Sequence, residues 1–179
     1  MSQNQIGFIG AGNMGGALLA GIQAKKPEMS TAAYDILPAA CEKARKLGAT
    51  VYASIEELVQ ESEMIVIAVK PQYFGDVFPH IREALQERKK IISITPGFDF
   101  QYLHEKLGDN AVFTRTIPNM PAMVGAGITL MSFEEALTPQ ERQEIRSVFE
   151  CVGTVTEIPE HLLDAGMTGS SASPAFTYM

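Results

Sequence analysis

Short apolar runs alternate with amphipathic stretches along almost the whole chain. Residues 5–9 form the first apolar run. Residues 14–24 follow, with Leu18, Leu19 and Ile22 spaced for one face of a helix. The alternation then repeats. Strands are predicted at 32–34, 50–52, 64–69, 90–95, 111–114, 127–131 and 153–158, and helices at 38–47, 54–60, 74–87, 99–107 and 138–149. The run Met64-Ile65-Val66-Ile67-Ala68-Val69 holds no polar residue, the texture of a strand covered on both faces of a parallel sheet. Local punctuation supports the boundaries. Pro38 suits a first helical turn and Gly48 a helix end. Ser54 with Glu57, and Thr138 with Glu141, are spaced as capping boxes. After Arg115 the texture changes, and Thr116-Ile117-Pro118-Asn119-Met120-Pro121 reads as a rigid loop punctuated by proline.

The first strand stops at Gly10-Ala11-Gly12-Asn13-Met14-Gly15, and the next predicted element is a helix. That order is what a dinucleotide-binding βαβ unit requires. Gly10 permits the tight turn, Gly12 lets backbone approach a pyrophosphate, and Gly15 lets helix and strand pack closely. The unpaired N–H groups that open the helix face the phosphates. Together with the alternation, the motif predicts an α/β fold. We expect a Rossmann-type, doubly wound, mostly parallel sheet with right-handed connections, followed by the start of an α-helical domain. Residues 1–160 are read as the NAD(P)-binding domain, and 161–179 as the start of a helical domain. Residues 170–179 leave Ala175, Phe176 and Met179 apolar with nothing to bury them, so the expectation is a chain cut before most of that domain.

A net charge of −7 makes nucleic acid and anionic membranes poor partners. The basic cluster that stands out, Arg88-Lys89-Lys90, reads as the solvated end of a helix. No apolar run approaches membrane-spanning length and no signal peptide is visible. The two cysteines, Cys41 and Cys151, read as packing residues in a reducing, cytoplasmic protein. The three histidines lack ligand spacing, and no metal site is expected.

Further candidates stand where strands end. Asp35 lies 20 residues past Gly15, where a carboxylate accepts hydrogen bonds from the adenosine ribose and repels a 2′-phosphate; it leans toward NAD over NADP. Ala68-Val69-Lys70-Pro71 closes the longest apolar strand, with Lys70 placed for phosphate or ribose contact or for positive potential near the nicotinamide. Thr95-Pro96-Gly97 ends the next strand on the same edge. Asn119 offers a donor and an acceptor on a stiff scaffold, suited to a carboxamide or a small polar substrate. Arg115 suits a substrate carboxylate or a clamp between the loop and the C-terminal segment, and the clamp is the preferred reading. Met14, Met120 and Met123 read as core rather than cleft.

Taken together, Gly7 to Gly15, Ala68-Val69-Lys70-Pro71, Arg115-Thr116-Ile117-Pro118-Asn119-Met120-Pro121-Ala122, Gly125-Ala126-Gly127, Leu163-Asp164-Ala165 and Ser173-Pro174-Ala175-Phe176 resemble the pyrroline-5-carboxylate reductases over essentially the whole chain. The resemblance implies reduction of 1-pyrroline-5-carboxylate to L-proline, the last step of proline synthesis, with NADP or NAD as cofactor. By the same resemblance Gly10 to Gly15 hold pyrophosphate and Ala68 to Pro71 border ribose and nicotinamide. Asn119 sits near the nicotinamide, and Ser170, Ser171 and Ser173 begin the substrate region. It also implies that 161–179 begin a substrate and dimerisation domain, and a homodimer or higher oligomer in the full-length form. Three departures stand out: a changed glycine and serine around Ser171-Ala172-Ser173, Asp35 where many members carry serine or arginine, and the shorter chain. No catalytic acid or base is assigned, since a protonated imine need not require one. Two other readings stay open. One is a 3-hydroxyacid dehydrogenase-like reductase, against which no KxxxN pattern follows position 160; the other is a nucleotide-binding fragment without catalysis.

Overall fold

A computed structural model of the chain describes residues 4–172. Its strands are β1 (Asn4–Ile9), β2 (Thr31–Tyr34), β3 (Thr50–Val51), β4 (Ser62–Ile67), β5 (Lys89–Ser93), β6 (Ala111–Pro118), β7 (Gly127–Phe133) and β8 (Gly153–Glu157). They form one sheet in the order β3-β2-β1-β4-β5-β6-β7-β8. The helices are α1 (Asn13–Lys25), α2 (Pro38–Lys46), α3 (Ile55–Gln60), α4 (Phe74–Ala84), α5 (Phe100–Leu107), α6 (Pro139–Phe149) and α7 (Leu163–Met167). Every neighbouring strand pair is parallel except β6 and β7, which run antiparallel from Thr114 opposite Phe133 to Pro118 opposite Thr129.

The uninterrupted apolar strands feed two cores with alternate residues. Met64 and Val66 of β4, with Ile92 of β5, join the core beneath α1 and α6. Ile65 and Ile67, with Ile91, join the core beneath α3, α4 and α5. A period of two is thus present in a run that shows none in its polarity, because both faces are covered. Gly15, Gly16, Leu18, Leu19 and Ile22 are the buried residues of α1. A smaller cluster of Ile117, Leu130 and Leu163 holds the C-terminal segment against β6 and β7.

One expectation about a connection is corrected. Residues 116–118 belong to β6 and not to a loop. Pairing of β6 with β5 ends at Arg115 opposite Ser93, so from Thr116 onward β6 has a partner on one side only. Proline is tolerated at such an edge-like position, because no ladder bond is lost on the open side. The step from β6 to β7 is a short 3-10 turn, Met120–Val124.

The basic run is corrected too. Helix α4 ends at Ala84, and Lys89 and Lys90 lie in β5. Lys89 is buried and pairs with Glu87 at 2.8 Å; Lys90 pairs with Glu144 at 3.0 Å. Arg88 grips both oxygens of Glu141 at 2.6 and 3.2 Å. Arg88 and Lys90 thereby stitch α6 to the amino-terminal edge of the sheet.

Glu141 also completes the capping box with Thr138, as the spacing predicted. The Arg88 guanidinium, helped by the Thr138 N–H, draws its carboxyl from the ordinary 4.5 down to about 2. A folded-state value below the unfolded one means the charge stabilises the fold fully above the ordinary range. That contribution fades as pH falls from 4.5 toward 2. Glu141→Gln, which keeps a capping side chain, is expected to cost about 2 kcal/mol at pH 7. In urea unfolding against pH, the gap to the parent should close below pH 2.5 or so; a gap constant down to pH 2 contradicts the assignment.

Candidate functional site

Strand order reverses between β1 and β4, and the carboxyl ends of β1, β2, β4 and β5 meet there on one edge. Open α/β sheets bind ligands outside that crevice. The glycine loop fills its centre. Gly10 has φ +98°, donates to Tyr34 O at 2.8 Å, and leaves no room for a side chain, since a Cβ would lie 2.8 Å from Ala68 O. A Cβ on Gly15 would lie 2.2 Å from Gly10 O. Both glycines are therefore required by the protein itself. Gly12 is different: a Cβ there would meet nothing within 4 Å. The loop is bare at the point where backbone must approach a pyrophosphate, so the residues present fit a dinucleotide.

The start of α1 agrees. Helices α3, α5 and α6 are capped by Ser54, Asp99 and Thr138, each accepting a backbone N–H. Helix α1 begins at Gly12 with no side-chain cap and no acidic residue in its first turn. Its opening N–H groups are left for an anion, which the helix dipole also favours.

Asp35 follows β2 and is half-buried beside the loop. Its Oδ2 accepts the Ala11 N–H at 2.8 Å and its Oδ1 the Leu37 N–H at 2.9 Å. The sequence placed it at the ribose position; the structure adds that it braces the glycine loop. Beside it, Ile36 and Leu37 are 72% and 60% exposed.

The ends of β4 and β5 are tied together. Ala68 donates to Ile9 O at 2.8 Å, and the Thr95 hydroxyl donates to Val69 O at 3.0 Å. Thr95 thereby positions the edge with its one hydroxyl donor committed. Lys70 precedes the 3-10 turn Pro71–Tyr73, is exposed, and makes no ion pair among the described residues. Gly97 has φ +88° with open space around it, and Pro96 is half-buried beside it.

Asn119 is buried at the end of β6. Its Oδ1 accepts the Ile128 N–H at 2.8 Å and its Nδ2 donates to Ser170 O at 3.3 Å, leaving one N–H of the amide. It therefore joins the strand edge to the segment read as substrate-binding. The Ser170 hydroxyl donates to Gly166 O at 3.0 Å. Ser171 lies in the wide turn Thr168–Ala172, and Ser173 lies outside the described residues. Met14 packs partly against the core, but Met120 and Met123 are exposed, which corrects the core reading for both. They occupy the turn after Asn119, where the short β6–β7 connection lifts them off the sheet.

Arg115 is the clamp. Only 4% exposed, it reaches Glu160 at 3.1 Å and Asp164 at 3.4 Å. Glu160 also accepts the Phe100 N–H at 2.7 Å, linking β6, the start of α5 and the C-terminal segment. No role for Glu160 is legible in the sequence. Its partners lie 45 and 60 positions away, so no local spacing marks it.

Comparison with known proteins agrees with this geometry. Residues 5–97 match the family model described as NADP oxidoreductase, coenzyme F420-dependent. The chain is 30% identical over 180 residues to the pyrroline-5-carboxylate reductase of Escherichia coli, covering 99% of this chain and 67% of that protein. A pyrroline-5-carboxylate reductase from Coxiella burnetii superimposes with a TM-score of 0.92 at 23% identity, over 99% of this chain and 67% of that one, and shows the common fold. The Plasmodium falciparum pyrroline carboxylate reductase, solved with NADP bound, has a TM-score of 0.83 at 28% identity, over 98% of this chain and 65% of that one.

Proposed function

This chain belongs to the pyrroline-5-carboxylate reductase family, and from that premise we propose that it serves the NAD(P)H-dependent reduction of 1-pyrroline-5-carboxylate to L-proline. The observation that carries the reading is the bare Gly12 in a loop whose other glycines are fixed by internal contacts. Gly10 to Gly15 would hold the pyrophosphate against the open start of α1. Asp35 would take the adenosine ribose. Ala68, Val69, Lys70 and Pro71 would border ribose and nicotinamide, facing Thr95, Pro96 and Gly97. Reduced nicotinamide supplies a hydride when bound.

A cyclic imine accepts hydride best in its protonated form. The work left to the chain is to orient the reactants and exclude water. Asn119 suits this, since one N–H of its amide is uncommitted and its other contacts hold the strand edge to Ser170. Ser170, Ser171 and Ser173 would meet the substrate. Residues 1–160 act as the nucleotide-binding domain, and 161–179 begin a helical unit, supported by α7 and the turn after it. Exposed Met120, Met123 and Val124 in one turn support association with further helices or a second copy in a homodimer or higher oligomer. Free Cys41 and Cys151 suit a cytoplasmic location.

The test is a titration with NADH and NADPH, followed by pyrroline-5-carboxylate. At least one nucleotide is expected to bind. Consumption of its reduced form with appearance of proline completes the reading. Failure to bind either nucleotide overturns it.

A further inference from the structure

The end of β2 decides which nucleotide the site accepts. Asp35 is not a mobile surface acid: both its oxygens are held, by the Ala11 N–H at 2.8 Å and the Leu37 N–H at 2.9 Å. A carboxylate offers about four lone-pair positions, so about two remain for hydroxyl donors. That is the complement of a ribose with both hydroxyls free. The same pinned charge meets a 2′-phosphate as a like charge that cannot swing away.

The residues that flank Asp35 in sequence offer no cation to offset the repulsion. No lysine or arginine occurs between Lys26 and Lys43. The residues directly after Asp35 are Ile36 and Leu37, both exposed and apolar. The nearest following cation, Lys43, has its Nζ against α1, 3.7 Å from where a Cβ on Gly16 would stand. A phosphate recognised at this position elsewhere requires a basic partner, commonly arginine.

We infer that this chain is an NADH-selective reductase in which Asp35 rejects the 2′-phosphate while bracing the glycine loop. The inference rests on the reductase reading above and deepens it. It also sets this chain apart from the Plasmodium falciparum relative that was solved with NADP bound. Because Asp35 holds the Ala11 N–H, selectivity and loop shape share one side chain.

Isothermal titration of the chain with NADH and with NADPH at fixed ionic strength tests this without relying on turnover. The parent is expected to bind NADH at least about tenfold more tightly. Asp35→Asn removes the charge and retains one oxygen acceptor. It should strengthen NADPH binding and narrow the ratio to about threefold or less, with a thermal melt reporting any loosening of the loop. Ile36→Arg keeps Asp35 and both of its N–H bonds, adds a cation on an exposed side chain, and should by itself raise NADPH affinity about fivefold or more. Equal binding of the two nucleotides by the parent, or a preference for NADPH, overturns the inference and leaves the reductase reading standing. Binding of neither overturns both.

Discussion

Gly12→Ala is expected to fold like the parent and to bind nucleotide about thirtyfold more weakly, roughly 2 kcal/mol. The added methyl meets no protein atom within 4 Å, so the loop has no reason to move. It stands instead in the space a pyrophosphate needs, and pushes the phosphates away from the N–H groups at the start of α1. Gly15→Ala should behave in the opposite way. Its methyl would lie 2.2 Å from Gly10 O, a backbone atom that cannot rotate aside. Separating α1 from β1 to relieve that contact should cost about 3 kcal/mol of stability. Paired melting and nucleotide titration therefore divide the two glycines, one through the ligand and one through the fold. If Gly12→Ala binds both nucleotides as the parent does, the loop is not the phosphate cradle.

Arg115→Leu is the second large effect, and it should appear in stability. The guanidinium is buried and joins Glu160 and Asp164 to β6, while Glu160 also receives the Phe100 N–H. Both acids retain some contact with water, so losing the arginine leaves them partly solvated. The expected loss is about 2–3 kcal/mol, which lowers the melting temperature by roughly 6–9 °C for a domain of this size. Affinity for NADH should change by no more than about twofold, because none of these contacts touches the glycine loop. A variant that melts like the parent but fails to use pyrroline-5-carboxylate would instead place Arg115 on a substrate carboxylate.

The sequence and the structure agree mostly where the cause is local, although the box predicted for Ser54 and Glu57 forms only in half, since Glu57 reaches the Ala53 N–H. Apolar runs, the Thr138 and Glu141 cap, and the glycine spacing all depend on residues a few positions apart, and each element they predicted is present. Disagreements arise where a distant partner decides. Pro118 reads as a strand breaker until β7 supplies the partner that makes it a strand end. Arg88, Lys89 and Lys90 read as solvated because Glu141 and Glu144, which recruit two of them, come some fifty positions later. Met120 and Met123 read as core from their apolarity, and only the tight β6–β7 turn shows them exposed. The site divides in the same way. The order of Gly10, Gly12, Gly15 and Asp35 was visible, but the bond from Ala11 to Asp35 and the role of Glu160 were not.

The two edges of the sheet are built for different ends. At one, Arg88, Lys89 and Lys90 are bound to acidic partners. At the other, Lys70 and the start of α1 are left without partners among the described residues. A strand of ordinary length keeps the edges on the order of 17 Å apart, beyond the range at which separate substitutions usually interfere. Robustness and recognition can therefore drift independently in this molecule. A lineage, or a designer, can strengthen the stitched edge for heat while retuning the open edge for a different nucleotide, and a double variant of Glu141→Gln with Gly12→Ala should show the two losses simply adding.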